Sequence, residues 1–265
     1  LYEEHVFGKS PGRPADLSFE TGSIDEKVRH AVTKLAHIHF PATALSAQRI
    51  VAMGEDPTAV TNVGCPSIDI VAETDLGRVR EALANVGGTG SAIDPDRPFV
   101  LVMQHPVTTE YGEGLEQIEA TLSAVVETGH QALVFWPNVD AGSDQIAKGL
   151  RLFREAGRAN GFHFFRNLPP EIFVTLMNHC AAMVGNSSAA LREGAFLGTP
   201  SVNIGTRQQG RERGEDERRT GTKVGDAHLR AMERRRPGDA SAPLVEDLDG
   251  GPHPLELTKV VETVL

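Results

Sequence analysis

The sequence predicts an α/β protein built on a doubly wound parallel sheet of Rossmann type. Two observations carry this. From Pro98 onward, short apolar runs alternate with longer amphipathic stretches at helical spacing. The intervening stretches run to ten to fifteen residues, the length of a helix that crosses over between parallel strands.

Taken in order, residues 1–19 are polar, rich in Gly and Pro, and without a clear period. A helix opens at Ser23, where "SIDE" fits a capping box with Glu26 reaching back to Ser23. Ile24, Val28, Ala31, Val32, Leu35 and Ala36 then repeat at helical spacing. "HIHFPAT" reads as an extended piece ended by Pro41, residues 43–53 as a second helix closed by Gly54, and "AVTNVGCPSID" as a short strand and turn. The Gly-rich "NVGGTG" at 85–90 lacks a strand before it and a helix after it, so it reads as a loop rather than a nucleotide-binding turn.

The regular series follows. "FVLVMQHP" is a buried strand, and Leu115, Ile118, Leu122, Val125 and Val126 mark a helix stopped by Gly129. "ALVFWPN" is the next strand and "SDQIAKGLRLFREAG" the next helix. "FHFFRN" leads to a helix whose first turn holds Pro169 and Pro170. "AAMVGN", a helix over 189–197 and "SVNIG" complete the series. After Gly214 the chain is charged and rich in Gly and Pro, with helical hints near 226–235 and over 255–265, and reads as a mobile tail.

Composition narrows the function. The 265 residues suffice for one large α/β domain or two smaller ones. A net charge of −10 gives no global attraction for nucleic acid or an anionic membrane, so an anionic ligand must be held by a local arrangement. No apolar run approaches the roughly 18 residues of a membrane span, and "LYEEHVFGKSPGRP" lacks a signal-peptide pattern, so a cytoplasmic location is expected. Cys65 and Cys180 lie in apolar contexts without paired spacing and read as buried thiols of a reducing compartment. His37 and His39 fall on one strand face, but no third ligand stands at a usual spacing, so no metal is expected.

In an open parallel sheet, ligands bind beyond the carboxyl ends of the strands, where the strand order reverses. Four consecutive strand exits carry hydrogen-bonding side chains: Gln104-His105, Asn138-Val139-Asp140, Asn186-Ser187-Ser188 and Thr206-Arg207. Asn-Ser-Ser lies where a helix presents its unpaired amides and the positive end of its dipole, and small side chains let a phosphate approach. Glu193 follows one turn after Ala189, placed to accept from ribose hydroxyls, and Arg207 offers a planar double donor for a diphosphate. The plainer alternatives are a serine N-cap and a solvated Arg192–Glu193 pair. His105 is equally a core histidine or a phosphate or sugar contact. Asp25 and Arg29, spaced i, i+4, read on spacing alone as a helix salt bridge.

The stretch "GNSSAALREGAFLGTPSVNIGTRQQGRERGE" resembles the signature of the UDP-N-acetylglucosamine 2-epimerases, in the hydrolysing branch that serves sialic acid and related nonulosonate synthesis. "TGSIDEKVRHAVTKLAHIHF", "NVGCPSID", "QHPVTTE" and "WPNVDAGSD" agree in order, and the resemblance spans roughly residues 20–216. It implies a GT-B-like architecture, with substrate between two Rossmann-type domains. It also implies elimination of UDP across C1–C2 of UDP-GlcNAc and hydration of the glycal to ManNAc, without metal or redox cofactor. By position, Gly64, His105, Asn138, Ser187, Ser188, Glu193 and Arg207 match residues that hold UDP, and Asp25 and Arg29 match an acidic and basic pair on the N-terminal catalytic helix. A carboxylate base suits removal of the weakly acidic C2 proton, and cationic and amide donors suit an expelled diphosphate.

The resemblance divides the chain into a remnant of an N-terminal catalytic domain over 1–65, a UDP-binding domain over 66–216 and a divergent tail over 217–265. Family members carry a full domain before the first matching helix, of which residues 1–19 show no pattern. Apolar surface left uncovered, and therefore homo-oligomerisation, is expected. UDP-N,N'-diacetylbacillosamine is a rival substrate. A UDP-sugar-binding remnant without turnover and a glycosyltransferase of the same architecture are rival functions, the latter disfavoured by the epimerase motifs.

Overall fold

A computed structural model of the chain describes residues 24–107, 110, 112–208 and 245–248. Its elements are α1 (Ile24–Leu35), α2 (Ala44–Ala52), α3 (Pro66–Glu73), α4 (Val79–Ala84), β1 (Thr89–Gly90), β2 (Phe99–Met103), α5 (Gly114–Glu127), β3 (Gln131–Phe135), α6 (Ser143–Glu155), β4 (Phe162–Phe165), α7 (Pro170–His179), β5 (Ala182–Gly185), α8 (Ser188–Leu191), α9 (Glu193–Leu197), β6 (Ser201–Ile204) and β7 (Val245–Leu248). The strands form one sheet in the order β1-β4-β3-β2-β5-β6-β7. β1 pairs antiparallel with β4, and all other pairings are parallel.

Winding starts at β2, moves outward through β3 and β4, then returns to β5 on the other side of β2 and continues to β6. Each strand sends alternate residues to opposite faces. Phe99, Leu101, Leu133, Phe135 and Phe165 join Met183 and the side chains Val174, Leu176 and Met177 of α7 in one core, which also takes Ile68 and Val71 of α3. Val100, Val102, Val134, Phe162, Phe164 and Val184 join Ile118, Leu122 and Val125 of α5 and Ile146, Leu150 and Phe153 of α6 in the other. Helices therefore cover both faces, and the strand order reverses between β2 and β5.

Two glycines are required by close approach. Gly185 ends β5 at φ +138°, and a Cβ there would meet the Met103 carbonyl oxygen of β2 at 2.1 Å. Gly149 lets α6 press on α5, since its Cβ would meet Ile118 Cγ2 at 2.4 Å.

The N-terminal segment is tied by a polar clamp. Lys34 of α1 donates to Glu55 Oε1 at 2.5 Å and to the Met53 carbonyl at 3.3 Å. Buried His39 sets Nε2 3.3 Å from Glu55 Oε2, and its backbone pairs with Val60. Thr43 caps α2 by accepting from the Ser46 amide at 2.9 Å. Ala42 and Cys65 enter the first core, yet Val28, Leu35, Ile38, Phe40, Leu45, Val51 and Val63 leave large apolar groups exposed. Both cysteines are buried, and burial pushes the Cys180 thiol far above the usual range.

Several elements differ from their sequence reading. The "PSID" of the expected strand and turn is the start of α3, because Pro66 occupies the first turn of a helix. Within the Gly-rich loop, Thr89 and Gly90 pair with β4, at a point where a Gly90 Cβ would meet the Phe162 carbonyl at 2.3 Å. The helix read over 189–197 breaks at Arg192 (φ −107°, ψ −81°), and there Gly194 brings its backbone close to the sulfurs of Met177 and Met183. The six-residue α4 and strand β7 carry no periodic signal in the sequence. The capping box of Ser23 and Glu26 and the helical hints near 226–235 and over 255–265 lie outside the described residues, as does the side chain of Asp25.

Candidate functional site

The site forms where the order reverses, beyond the carboxyl ends of β2 and β5. Asn186 is its hub. Its amide donates to the Met103 carbonyl at 3.1 Å, continuing the register of the two strands past their ends. Its side-chain Oδ1 accepts from the His105 amide at 2.7 Å, while Nδ2 donates to the His105 carbonyl at 2.8 Å. The planar carboxamide thus replaces one rung of the ladder where the strands diverge. The Asn186 carbonyl accepts from Gln208 Nε2 at 2.6 Å and from Arg207 Nη1 at 3.3 Å, which draws in the exit of β6. With Asn186 and Gln208 buried, the unit is fixed before any ligand arrives.

The exit of β3 closes the ring. The Asn138 amide points at His105 Nδ1 across 3.5 Å, and its side-chain Nδ2 donates to Asp140 Oδ2 at 2.6 Å. The same carboxylate oxygen lies 3.4 Å from Arg207 Nη2. Glu110 supplies a further tie: Oε1 accepts from Thr206 Oγ1 and Oε2 from Gln117 Nε2, both at 2.5 Å, linking the exits of β2 and β6 to the first turns of α5. Gly205, at φ +75°, turns the chain into the short 3₁₀ segment that carries Thr206, Arg207 and Gln208.

The structure brings His105, Asn138, Ser187 and Arg207 together around Asn186. Ser187 is the N-cap of α8, accepting from the Ala189 amide at 3.3 Å, and Ser188 begins that helix. The Ala189 and Ala190 amides of this four-residue helix both donate to Ser187, to its hydroxyl and its carbonyl. Glu193 is half-buried and starts α9 just after the break. Gly64 (φ +79°) stands in the turn before α3, where its amide donates to Asn62 Oδ1 at 3.2 Å. Arg29 is buried on α1, one turn after the backbone position of Asp25. The described bonds of the α1 region run to the α2 end of the molecule, through Lys34 and Glu55.

Sequence reasoning names Asp140 and Asn186 only as members of strand exits and leaves out Glu110 and Gln208. Asn186 and Asp140 were visible at strand exits, but their partners lie 81 and 67 residues away in the chain. At these exits Arg207 meets the Asp140 carboxylate, while Glu110 is bonded to the neighbouring Thr206. A separate cavity of about 460 Å³ between α3, α4 and α7 is lined by Glu73, Asp75, Glu81, Glu171 and Arg78 and holds none of these residues. Among the described residues no cluster of His, Cys, Asp and Glu could hold a metal ion, and no helix is long and apolar enough to cross a membrane.

The doubly wound sheet, with helices on both faces, defines a GT-B-like α/β protein. The chain belongs to the UDP-N-acetylglucosamine 2-epimerase family, whose model matches residues 12–228. It is 32% identical over 195 residues to the UDP-N-acetylglucosamine 2-epimerase of Neisseria meningitidis serogroup B, covering 74% of this chain and 49% of that protein. It is 30% identical over 196 residues to the UDP-N,N'-diacetylbacillosamine 2-epimerase (hydrolyzing) of Legionella pneumophila, covering 74% of this chain and 50% of that one. The chain therefore spans about half the length of the curated relatives it matches. Among solved structures, the fold is similar to that of N. meningitidis UDP-GlcNAc 2-epimerase bound to UDP-GlcNAc, at TM-score 0.58 and 14% identity over 96% of this chain and 59% of that one. The Methanocaldococcus jannaschii enzyme, solved with UDP-GlcNAc and UDP, matches at TM-score 0.58 and 15% identity, over 97% and 61%.

Proposed function

We propose that this chain holds the nucleotide in a hydrolysing UDP-N-acetylglucosamine 2-epimerase, converting UDP-GlcNAc and water to ManNAc and UDP. The observation that supports it most is the bridge from Asn186 to His105 and Arg207, which fixes three strand exits around one point. There the amides beginning at Ser187 and Ser188 and the Arg207 guanidinium would take the diphosphate. His105 and Asn138 would line the nucleotide, Glu193 would accept from the ribose, and Gly64 would face it from the segment before α3.

In the reaction a base removes the C2 proton while the bond from C1 to the diphosphate oxygen breaks. UDP leaves with the electron pair, and water then adds across C1=C2 of the glycal. Asp25 and Arg29 are assigned to the proton and charge handling of that step, in keeping with their place on α1. No metal or redox cofactor enters the proposal. The chain is placed in the cytoplasm, and the exposed apolar side chains between Val28 and Val63 support self-association.

One observation favours a neighbouring reading. The printed name of the Legionella relative supports UDP-N,N'-diacetylbacillosamine as substrate. Incubating the purified chain with each nucleotide sugar, and following UDP and the released amino sugar, separates the readings. A reading of binding without turnover is tested by the same assay, as UDP retained with no amino sugar released. ManNAc and UDP at enzymic rates support the epimerase, release only from the bacillosamine nucleotide shifts the substrate, and neither product from either sugar refutes turnover.

A further inference from the structure

Among the described residues, Asp140 is the carboxylate in direct contact with the arginine assigned to the diphosphate. Its Oδ2 takes donors from two elements, Asn138 Nδ2 at 2.6 Å and Arg207 Nη2 at 3.4 Å. The Asn138 contact is short. The Arg207 contact is long for a charge-assisted bond, which normally lies near 2.7–2.9 Å. Both charged side chains also keep partial access to water, at 31% and 20% exposure. Arg207 is held independently of Asp140, through Nη1 to the Asn186 carbonyl and through its place in the 3₁₀ segment anchored by Thr206 and Gln208. Asp140 therefore does not position the guanidinium; it occupies the face of it that a phosphate would need.

We propose that Asp140 is an internal counter-anion for Arg207 that lowers the affinity of the site for phosphate groups and makes binding depend on a ligand able to displace it. The proposal rests on the reading of Arg207 as a diphosphate donor. Its sign follows from two effects that act together. Without ligand, the carboxylate stabilises Arg207 where it stands; with ligand, it repels the bound phosphates. Both weaken anion binding, and both disappear in D140N, whose amide oxygen still accepts from Asn138. The repulsion grows with ligand charge, so it bears harder on free UDP, with its terminal phosphate, than on a UDP-sugar, whose diphosphate is esterified at both ends. That difference favours release of the product.

The test is calorimetric titration of inorganic pyrophosphate and of UDP into the full chain, D140N, R207A and the double variant. D140N should bind both probes about fivefold more tightly at low salt, the scale of one unit charge near 4 Å at a wet surface. The gain should shrink in high salt, and should be clearly smaller in the R207A background, where only the direct repulsion between the carboxylate and the phosphates remains. Asp140→Ser, which removes the charge and keeps an oxygen acceptor, should give the same sign. Unchanged or weaker binding by D140N, with UDP bound by the parent chain and lost in R207A, overturns the counter-anion and leaves the UDP reading standing. An equal gain in the R207A background also overturns it. No binding of either probe by any of the four chains overturns both.

Discussion

Asn186→Ala tests the hub of the site through stability. The side chain is 1% exposed and makes two hydrogen bonds to one backbone, at 2.7 Å and 2.8 Å. Deleting it strands the His105 amide and carbonyl. A stranded buried group costs about 1–3 kcal/mol, and since His105 is half-buried the lower part of that range applies to each, for a total of about 2–3 kcal/mol. In a chain of this size that corresponds to a fall in melting temperature of about 4–12 °C. Urea unfolding should show an earlier midpoint with unchanged slope, because the surface exposed on unfolding is nearly the same. Asn186→Asp adds a diagnostic. Its carboxylate can accept from the His105 amide but faces the His105 carbonyl with a lone pair, so at neutral pH it should be at least as unstable as N186A. The opposed His105 carbonyl disfavours the ionised form and raises that carboxyl's folded pKa, and protonation restores the donor, so the variant should regain stability as the pH falls below that value. An N186A stability within about 0.5 kcal/mol of the parent, the ordinary spread of inert substitutions, would refute the hub.

Two further outcomes follow from the fold. Gly185→Ala should destabilise by about 3 kcal/mol or more, since it combines a positive φ with a Cβ at 2.1 Å from the Met103 carbonyl; loss of amide protection in β2 and β5 by hydrogen exchange is the readout, and retained protection would contradict the packing. Glu55 has its carboxyl held below its ordinary value of 4.5, chiefly by the Lys34 hydrogen bond, which outweighs the opposing effect of burial and is helped to a lesser degree by Lys34's charge and by His39. A lowered folded pKa means that its stabilisation is present above 4.5 and lost as the pH falls through the lowered value. Glu55→Gln should therefore flatten the acid limb of the stability profile, and an unchanged limb would count against the clamp.

The parallel sheet was legible because β2, β3 and β5 are apolar along their length and buried on both faces, which leaves one reading of each run. Strand exits were legible for the same reason, since a strand that ends in Gln-His or Gly-Asn names its own carboxyl end. Strand order was not. Whether β5 or β4 lies beside β2 decides whether Asn186 can reach His105, and nothing local to either residue carries that information. Asp140 illustrates the same limit: its position two residues after Asn138 was visible, but its charge acts on Arg207 only because the exits of β3 and β6 converge. β7 carries no strand signal because "VEDL" sets two adjacent carboxylates between its apolar residues, inside a charged stretch. The break at Arg192 escaped because Ala189–Leu197 has ordinary helical composition, and only contact with Met177 and Met183 marks where the helix departs.

If the exits around Asn186 hold UDP through Arg207, calorimetric titration of UDP into the full chain and into Arg207→Ala will separate the two chains. The parent should show saturable 1:1 binding and R207A a loss of at least about tenfold, in line with removal of a charge-assisted contact worth about 1.5–3 kcal/mol. Equal affinity in the two chains, or no UDP binding by either, would contradict that reading.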